Sequence, residues 1–501
     1  MYSALHRRQF LRSAVAVSAA LPLGKLFAAD AAAPLPDIEA VSGDGRQILL
    51  RGADVRDFTA SLRGDVFLGG TPGYDEARKV WNAAFDRRPA LIVRCSGAAD
   101  VMTAVKFASS QGLLLAVRGG GHSLSGQSVC DKGMMLDLSQ MNSARVDPAR
   151  QLAWIEGGAL LGALDREAQA HGLATTAGTV SHTGVGGLTT GGGFGRIARR
   201  FGLACDNVRS CDVVTADGKF QSVNARENPE LYWGLRGGGG NFGVVTSFEF
   251  QLHPVDPVMV GGELAYSWAD TPATLKFLFD YLEHAPDELY IEFTMLRLPN
   301  DQRLLSLDVC YSGPRTQAAK VLAPLREFRK PIVDTVVEKP YVKLQSAQDR
   351  KAEHGHKHYI KGGFVHKPSD ALIDVLVATI EEARLPVVQQ VSLPHAGGAI
   401  SRVKPDATAF AQRSVKHLIF TAGHWDDPAM AEPVAEWSRA TWPKIEPHTR
   451  GFYVNEYRPE DSARLSTTYG GNFDRLVALK TKVDPNNLFR MNANIAPTKQ
   501  A

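Results

Sequence analysis

The chain has 501 residues, 44% hydrophobic and 22% charged, an ordinary globular composition with room for two or three domains. The formal net charge of +3 is too small to indicate a nucleic-acid partner, and no basic cluster interleaved with aromatic residues follows the N-terminus. Beyond the N-terminal segment, no stretch approaches the ~20 apolar residues that a membrane-spanning helix needs. We therefore expect a mature protein that binds neither nucleic acid nor membrane.

The N-terminal segment predicts export. Arg7-Arg8-Gln9-Phe10-Leu11 precedes a short apolar run from Ala14 to Leu23, and small residues follow through Ala33. Paired arginines before a mildly apolar run are typical of twin-arginine signals, and this run is too short to anchor in a bilayer. We expect residues 1–33 to be an export signal read by the twin-arginine machinery, and the mature protein to be periplasmic or secreted. A chance Arg-Arg pair before an apolar helix is the alternative.

Residues 65–255 form the first predicted domain, in which short strands, few helices and many tight turns indicate an α+β fold. The predicted strands are 90–93, 113–117, 133–138, 152–156 and 244–252, with a hairpin over 212–220 that turns at Asp217-Gly218. The predicted helices are 98–111, 157–170 and 230–236.

Residues 256–450 form the second predicted domain, an antiparallel sheet backed by helices. Its predicted strands are 290–296 and 304–311, and its predicted helices are 271–284, 316–328 and 370–383. The remaining segment, 451–501, predicts a strand that begins at Phe452, a helix over 474–483 and a turn at 484–486.

Five cysteines, Cys95, Cys130, Cys205, Cys211 and Cys310, form an odd set without the paired spacing of a metal site. We expect most of them to be buried thiols, because free cysteine behaves as a small hydrophobic residue. One disulfide formed after export stays open as an alternative.

Three glycine-dense stretches, residues 118–123, 178–195 and 236–243, each adjoin apolar strand-like sequence. Glycines at a strand end permit positive φ and a close approach of the backbone to a ligand. Successive backbone N–H groups can also form an anion-binding nest. Together the stretches predict a long, phosphate-bearing ligand held from several sides, with glycine-rich surface turns as the alternative.

Two common nucleotide-binding motifs are excluded by context. A dinucleotide fingerprint needs a strand before its glycines and a helix directly after them. Gly191 to Gly195 follows the polar pair Thr189-Thr190, and the residues after Gly121 do not predict a helix. No GxxxxGK[ST] sequence occurs, which excludes P-loop chemistry.

The glycine stretches belong to a longer ordered set of motifs. In chain order these motifs are Arg94, Asp100, Arg118 to Ser123, Gly178-Thr179, Gly184 to Gly187, Gly191 to Gly195, Asp206-Asn207, Asp217-Gly218, Trp233, Arg236 to Gly243, Tyr453 to Asn455, and Tyr469-Gly470 through Asn492. The set resembles the berberine-bridge-enzyme-like FAD-linked oxidases of the vanillyl-alcohol-oxidase (PCMH-type) superfamily, over residues 65–496 and most weakly over 260–440. The resemblance implies an α+β fold with a PCMH-type FAD-binding domain in two subdomains, a substrate domain with an antiparallel sheet, and a C-terminal segment that returns to the FAD-binding domain.

The resemblance implies FAD as the cofactor, bonded covalently through a ring nitrogen of His122 to the 8α-methyl group of the flavin. A neutral imidazole is a competent nucleophile for that bond; a His122 that stays non-covalent is the alternative. The implied cofactor-binding residues are Arg118, Gly119, Gly120, Gly121, His122, Ser123, Gly178, Thr179, Val180, Thr183, Gly184, Gly187, Leu188, Gly192, Gly193, Gly195, Val245, Tyr469 and Asn492.

This chain departs from many family members at two of those positions. A cysteine that forms a second link to the flavin is replaced by Val180, and a frequent histidine is replaced by Leu188. Valine cannot bond to the flavin, so we expect a single covalent link, at His122.

Related enzymes take the substrate proton with a tyrosine, or sometimes a glutamate, from the C-terminal segment. The matching segment is 453–457, and as a strand it would place Tyr453 and Tyr457 on one face and Glu456 on the other. Tyr453 and Tyr457 are therefore the candidate catalytic bases, with Tyr453 favoured by motif position and ordinary strand packing as the alternative. A tyrosine base needs a lowered pKa, for which Lys361 and Arg413 are candidate cations.

His354, His356 and His358 alternate along the chain, and on a strand they would point the same way, as in a metal chelate. No acidic or cysteine ligand stands at a spacing that completes such a site. We expect a solvated face or a polar pocket lining there, and no metal. His182 is expected to be a loop histidine.

These features predict an exported FAD-dependent oxidoreductase that oxidises a small alcohol, sugar or amine and passes the electrons to dioxygen, giving hydrogen peroxide. One alternative is a dehydrogenase of the same fold with another electron acceptor. The other is a non-catalytic exported flavin-binding protein, against which the intact His122 argues.

Overall fold

The computed structural model describes residues 35–498, so the predicted export signal lies outside the described residues. The described chain has a mixed α+β fold, as predicted, with two domains and a C-terminal segment that packs back onto the first domain. No helix in the described range is long and apolar enough to cross a membrane.

The first domain contains two main sheets, which correspond to the two expected subdomains. Its strands are β1 Ile38–Val41, β2 Gln47–Leu50, β3 Asp65–Leu68, β4 Leu91–Arg94, β5 Leu115–Arg118, β6 Met134–Asp137, β7 Ala144–Asp147, β8 Leu152–Glu156, β9 Leu173–Ala174, β10 Val208–Val214, β11 Phe220–Asn224, β12 Val244–Gln251 and β13 His253–Pro254. Its helices are α1 Gly52–Ala60, α2 Tyr74–Ala77, α3 Ala98–Ser110, α4 Leu161–Gln169, α5 Val185–Thr190, α6 Ala198–Phe201 and α7 Pro229–Leu235.

The first sheet has the order β3-β4-β6-β5, in which β4 and β5 both run parallel to β6. Helix α3 makes the crossover from β4 to β5 and buries Val101, Ala104, Val105 and Ala108, which recur at helical spacing. Because parallel strands end at the same edge of a sheet, the turn after β5 leaves from the edge where β4 and β6 also end. The second sheet is antiparallel, in the order β11-β10-β12-β8-β7.

The first domain extends further toward the N-terminus than the predicted start at residue 65. Ala40, Leu50, Val55 and Phe58 pack in the same core as the buried residues of β4 and β5. The mixed polar and apolar sequence before residue 60 gave no clear period from which this packing could be predicted.

The second domain is one large antiparallel sheet. Its strands are β14 Val258–Ser267, β15 Leu289–Arg297, β16 Arg303–Tyr311, β17 Val333–Asp334, β18 Val337–Pro340, β19 Lys357–Val365, β20 Gln389–Pro394 and β21 His417–Trp425. Its helices are α8 Thr271–Glu283, α9 Arg315–Phe328, α10 Tyr341–Gln345, α11 Asp370–Glu381, α12 Ala399–Arg402 and α13 Ala431–Ile445. The sheet order is β17-β14-β16-β15-β20-β21-β19, and β18 also pairs with β14.

Strand β15 shows how this sheet divides its two faces. Ile291, Phe293 and Met295 pack into the core under the helices. Tyr290 and Glu292, which alternate with them, point to the opposite face and line a cavity shared with the first domain. The sheet is thus covered by helices on one side and by the first domain on the other.

The C-terminal segment forms short helical turns where the sequence predicted a strand. It contains 3₁₀ turns at Val454–Glu456, Pro459–Arg464 and Gly470–Asn472, and helices α14 Leu465–Tyr469 and α15 Phe473–Val483. The strand prediction over 453–457 was wrong, because the N–H of Glu456 donates to the carbonyl of Tyr453 at 2.8 Å and closes a turn. Side chains three residues apart lie above one another in such a turn, so Tyr453 and Glu456 project to the same side.

All five cysteines are buried and unpaired in the structure, in keeping with the expected thiols. Burial raises the pKa of the Cys130 thiol to about 12.

A buried lysine ties the C-terminal segment to the first domain. Lys480 Nζ pairs with Asp484 Oδ2 at 2.6 Å and donates to the carbonyl oxygens of Asn241 at 2.8 Å and Phe489 at 2.9 Å. Asn241 belongs to the third glycine stretch, residues 236–243. The contacts of this one ammonium group therefore hold α15, the chain after it and that glycine stretch together.

Substitution Lys480→Met should destabilise the protein by about 3–5 kcal/mol, because it leaves the buried Asp484 carboxylate without its counter-ion. The midpoint of urea unfolding, followed by circular dichroism, measures the effect. Lys482→Met, at an exposed position on the same helix, is the matched control and should leave the midpoint unchanged. Equal midpoints for the two variants would show that the buried pair does not anchor this segment.

Candidate functional site

A cavity of about 410 Å³ lies between the two domains. One wall is formed by the glycine stretches of the first domain. The other wall is formed by the inner face of β15, β20 and β21 together with the turn at Val454–Glu456. The cavity therefore brings the three stretches singled out in the sequence to one place, facing the second domain.

Two glycines cross at the centre of the first wall. A Cβ on Gly120 would overlap the Cα of Gly184, and a Cβ on Gly184 would overlap the backbone nitrogen of Gly120. The turn after β5 and the chain entering α5 can therefore approach this closely only as glycine. Gly121, with φ at 69°, then turns the chain so that His122 follows it into the cavity wall.

The β5 strand end is held by an ion-pair cluster below the cavity. Asp137, which is fully buried at the end of β6, accepts from Arg94 Nε at 2.9 Å and lies 3.5 Å from Arg118 Nη1. Arg118 also donates to the carbonyl of Ala77 at 3.0 Å. Arg118 therefore fixes the start of the glycine turn and does not line the cavity.

His122 is packed among aromatic rings. Its ring stacks on Trp81 with centroids 4.5 Å apart, and His182 lies 5.1 Å away. Burial, reinforced by His182 and His354, lowers the pKa of His122 to about 3, so the imidazole is neutral at neutral pH. Its Nε2 atom is buried and has no hydrogen-bond partner among the described residues.

The three alternating histidines do not share a strand face, because β19 begins only at Lys357 and His354 and His356 precede it. His354 faces His182 at 5.0 Å, beside His122. His356 Nδ1 pairs with Asp426 at 2.8 Å near the surface, and His358 stacks on the far side of Trp81 at 4.2 Å. In the described residues no group of histidine, cysteine and acidic side chains is arranged to hold a metal.

Tyr453 lines the cavity, whereas Tyr457 packs in the core against Phe452. The Tyr453 hydroxyl accepts hydrogen bonds from the Gly193 N–H at 3.0 Å and from Asn455 Nδ2 at 2.8 Å. Burial nevertheless raises the pKa of Tyr453 well above its usual value, and it raises the pKa of Tyr457 as well.

The two candidate cations do not lower the pKa of a tyrosine here, so that prediction was wrong. Arg413 is held by both carboxylate oxygens of Asp206 at 2.8 Å. Lys361 Nζ lies 3.5 Å from Asp461. Each cation is therefore paired with a carboxylate.

Glu292 and Glu456 are cavity residues that the sequence analysis missed. Burial, with smaller contributions from Glu292 and Asp461, raises the pKa of Glu456 to about 8. Burial and Asp308 raise the pKa of Glu292 to about 7, although Arg196 and Lys351 act in the opposite direction. Glu456 was assigned to the wrong face by the strand prediction. A signal for Glu292 was available, since it is the charged residue that interrupts the apolar strand 290–296.

Most of the residues implied as cofactor-binding do line this cavity: Gly119, Gly120, Gly121, His122, Ser123, Gly178, Thr179, Val180, Thr183, Gly184, Gly187, Leu188, Gly195, Val245 and Asn492. Arg118, Gly192, Gly193 and Tyr469 do not. Gly193 instead positions Tyr453, and Gly192 packs against Phe410. The Tyr469 hydroxyl donates to the carbonyl of Gly238 at 3.2 Å and so supports the third glycine stretch.

The glycine wall fits a large flat cofactor such as FAD. A Cβ on Gly187 would meet no protein atom, and one on Gly240 would meet only Asn492 Nδ2 at 3.7 Å, so the wall leaves room where side chains would stand. The buried atoms His122 Nε2 and Asn492 Oδ1, both of cavity residues, lack hydrogen-bond partners within the described part of the chain. Open backbone and unpartnered polar atoms are what a bound cofactor would use.

Comparisons with known proteins agree with this geometry. Residues 89–224 match the FAD binding domain model, and residues 452–496 match the berberine and berberine-like model. An FAD-linked oxidoreductase of Dictyostelium discoideum is 33% identical over 447 residues, covering 88% of this chain and 97% of that protein. (R)-6-hydroxynicotine oxidase of Paenarthrobacter nicotinovorans is 30% identical over 456 residues, covering 87% of this chain and 97% of that enzyme.

Solved structures show the same fold. The crystal structure of 6-hydroxy-D-nicotine oxidase from Arthrobacter nicotinovorans superposes with a TM-score of 0.80 at 28% identity, covering 87% of this chain and 99% of that one. The berberine-bridge-like protein 1 of Physcomitrella patens superposes with a TM-score of 0.80 at 24% identity, covering 89% of this chain and 100% of that one.

Substitution Gly187→Val should weaken FAD binding by about fivefold or more, because overpacking a filled site costs about 1–3 kcal/mol, and so lower the flavin content of the purified protein. The ratio of flavin to protein absorbance measures it. Gly471→Val, at an exposed glycine whose Cβ would also meet no atom, is the control and should keep its flavin. A full flavin content in Gly187→Val would place the cofactor elsewhere.

The raised pKa of Glu456 also predicts a pH-dependent stability difference. Between the ordinary carboxyl value of 4.5 and about 8, the native protein holds this proton while the unfolded chain has lost it. The free energy of unfolding therefore falls as pH rises through that window. The unfolding temperature of Glu456→Gln should equal that of the parent protein at the lower end of this pH window. At the upper end, Glu456→Gln should unfold at a higher temperature than the parent.

Thermal unfolding of both proteins across that window, without added ligand, is the measurement. Glu249→Gln on β12, outside the cavity, is the control and should show no such pH-dependent difference. A constant difference between Glu456→Gln and the parent at every pH would contradict a raised pKa for Glu456.

Proposed function

Because the chain belongs to the berberine-bridge-like FAD-linked oxidoreductases, we propose that it is an exported oxidase with covalently bound FAD. It oxidises a small alcohol, sugar or amine and passes the electrons to dioxygen, which yields hydrogen peroxide. The observation that carries the proposal is the neutral imidazole of His122, whose Nε2 atom has no hydrogen-bond partner among the described residues, in a cavity that Glu456 and Tyr453 also line.

A single covalent link is proposed, from His122. Burial keeps its ring neutral, and a neutral imidazole has the lone pair that bond formation needs. Val180 and Leu188, at the positions where many family members carry a cysteine and a histidine, both line the cavity and offer no second nucleophile.

Bound FAD would supply a two-electron acceptor for a hydride from the substrate. The chain supplies the proton chemistry. Glu456 is better suited than Tyr453 to take a proton from the substrate, because the pKa of Glu456, about 8, lies closer to neutral pH than the pKa of Tyr453. Tyr453, held by Gly193 and Asn455, keeps its own proton and orients the substrate by donating a hydrogen bond.

Export and the electron acceptor rest on separate grounds. Export rests on the twin-arginine pattern of residues 1–33. Dioxygen as acceptor is supported by the names of relatives, since (R)-6-hydroxynicotine oxidase is 30% identical to this chain. A dehydrogenase of the same fold is the alternative, and peroxide release under air with an accepted substrate separates the two.

Acid precipitation of the purified mature protein tests the covalent link. The flavin spectrum should stay with the pellet of the parent protein and leave the pellet of His122→Ala. His356→Ala, which removes a histidine that lies outside the cavity, should behave like the parent. Flavin that washes out of the parent in acid would remove the covalent bond from the proposal, and a colourless protein would contradict the whole of it.

A further inference from the structure

The wall of the cavity opposite the glycine stretches carries two carboxyl groups, and the cavity has no lysine or arginine among the described residues that line it. The two carboxyl groups belong to Glu292 and Glu456. His122 lies on the opposite wall and is neutral. A charged molecule bound against the wall opposite the glycine stretches therefore interacts electrostatically with two carboxyl groups.

The two carboxyl groups have unused hydrogen-bonding capacity. Glu456 Oε2 is buried with no partner in the described part of the chain, and the hydrogen bond that Glu292 accepts comes from the Tyr290 hydroxyl at 3.0 Å. A Cβ on Gly362 would overlap the Glu456 carboxylate, so the carboxylate fits beside β19 only because residue 362 is glycine. A buried carboxyl oxygen without a partner, on a residue that lines a cavity, can accept a hydrogen bond from a bound molecule.

The cations nearest to these carboxyls are paired with other acids. Arg196 Nη2 lies 2.5 Å from Asp308, Lys351 Nζ lies 3.6 Å from Glu263, and Lys361 Nζ lies 3.5 Å from Asp461. None of them lines the cavity. The remaining charged group that acts on Glu456 is Asp461, which is also acidic.

The walls around the pair are apolar. Phe194, Pro394, Leu418 and Phe420 line the same cavity. A carboxyl pair in such surroundings is costly to ionise fully, and a bound cation would offset that cost. Apolar walls also offer few hydrogen bonds for the many hydroxyl groups of a sugar chain.

We propose that the substrate is a small amine with an apolar body, bound as its ammonium form, and that Glu292 and Glu456 hold its nitrogen. This inference rests on the proposed oxidase function and narrows its three substrate classes to one. The carboxylate of Glu456 takes one proton from the ammonium nitrogen, giving the neutral amine and the carboxylic acid. The nitrogen lone pair freed in this way is what hydride loss from the neighbouring carbon requires. Glu292 keeps the remaining N–H in place.

Binding of three probes that share one ring and differ in their head group tests the inference: benzylamine, benzyl alcohol and benzoate. Dissociation constants come from the shift of the flavin spectrum of the holoprotein, and thermal shift provides a second readout that needs no flavin signal. Benzylamine should bind about tenfold or more tightly than benzyl alcohol, in line with a hydrogen bond to a charged group, and benzoate should bind most weakly.

Substitutions of the two glutamates test whether they cause the preference for benzylamine. Glu456→Gln and Glu292→Gln should each weaken benzylamine binding by about tenfold and leave benzyl alcohol within about twofold. Glu249→Gln is the charge-matched control and should change neither. Benzyltrimethylammonium keeps its positive charge at every pH, so its affinity should rise with pH as the two carboxyl groups ionise. The titratable and charged groups around these carboxyls are Tyr290, Tyr453, Asp308, Asp461, Arg196, Lys351 and Lys361.

Equal binding of the three probes, tighter binding of benzoate, or no benzylamine binding at all would overturn the inference. So would unchanged benzylamine affinity in both glutamine variants. A protein that lacks flavin yet shows the benzylamine preference by thermal shift would instead contradict the proposed oxidase and leave the cation site standing. The two failures are thus separable.

Discussion

The site depends on the crossing of two glycine backbones at Gly120 and Gly184. No side chain fits at either position, since a Cβ on one would overlap the main chain of the other. The crossing joins the turn after β5 to the start of α5, and Arg118, paired with the buried Asp137, fixes the strand from which the turn leaves. Without this approach His122 would not be placed against the cavity, and the first wall would be closed by side chains.

The second wall depends on a different physical rule, the alternation of side chains along a strand. In β15 the alternate residues Ile291 and Phe293 face the helices, so Tyr290 and Glu292 must face the first domain. The 3₁₀ turn after Tyr453 then brings Glu456 to the same cavity. The two walls are chemically unlike. One offers open backbone and a neutral imidazole, and the other offers two acids among apolar residues, which suits a flat cofactor on one side and a small molecule on the other.

How far sequence could predict this arrangement depended on the range of the interactions. The first wall was predictable because its motifs are local: a buried strand, then glycines, then His122. The strand and helix positions of the β4-α3-β5 unit followed from periodicity for the same reason. The strand prediction put Glu456 on the wrong face. The turn at 454–456 is closed by one backbone hydrogen bond, and the pattern of apolar residues does not predict that bond. His182 and His354 lie beside His122 although they come from segments far apart in the chain. A local sequence pattern cannot predict such a contact.

A crystal structure of the purified, flavin-loaded protein tests the central claim most directly. We predict electron density for FAD along the glycine wall, continuous with the His122 ring at the flavin methyl edge, with Tyr453 and Glu456 of the C-terminal segment facing the flavin from the opposite wall of the cavity. Flavin density outside the interdomain cavity, or a flavin whose methyl edge points away from His122, would contradict it.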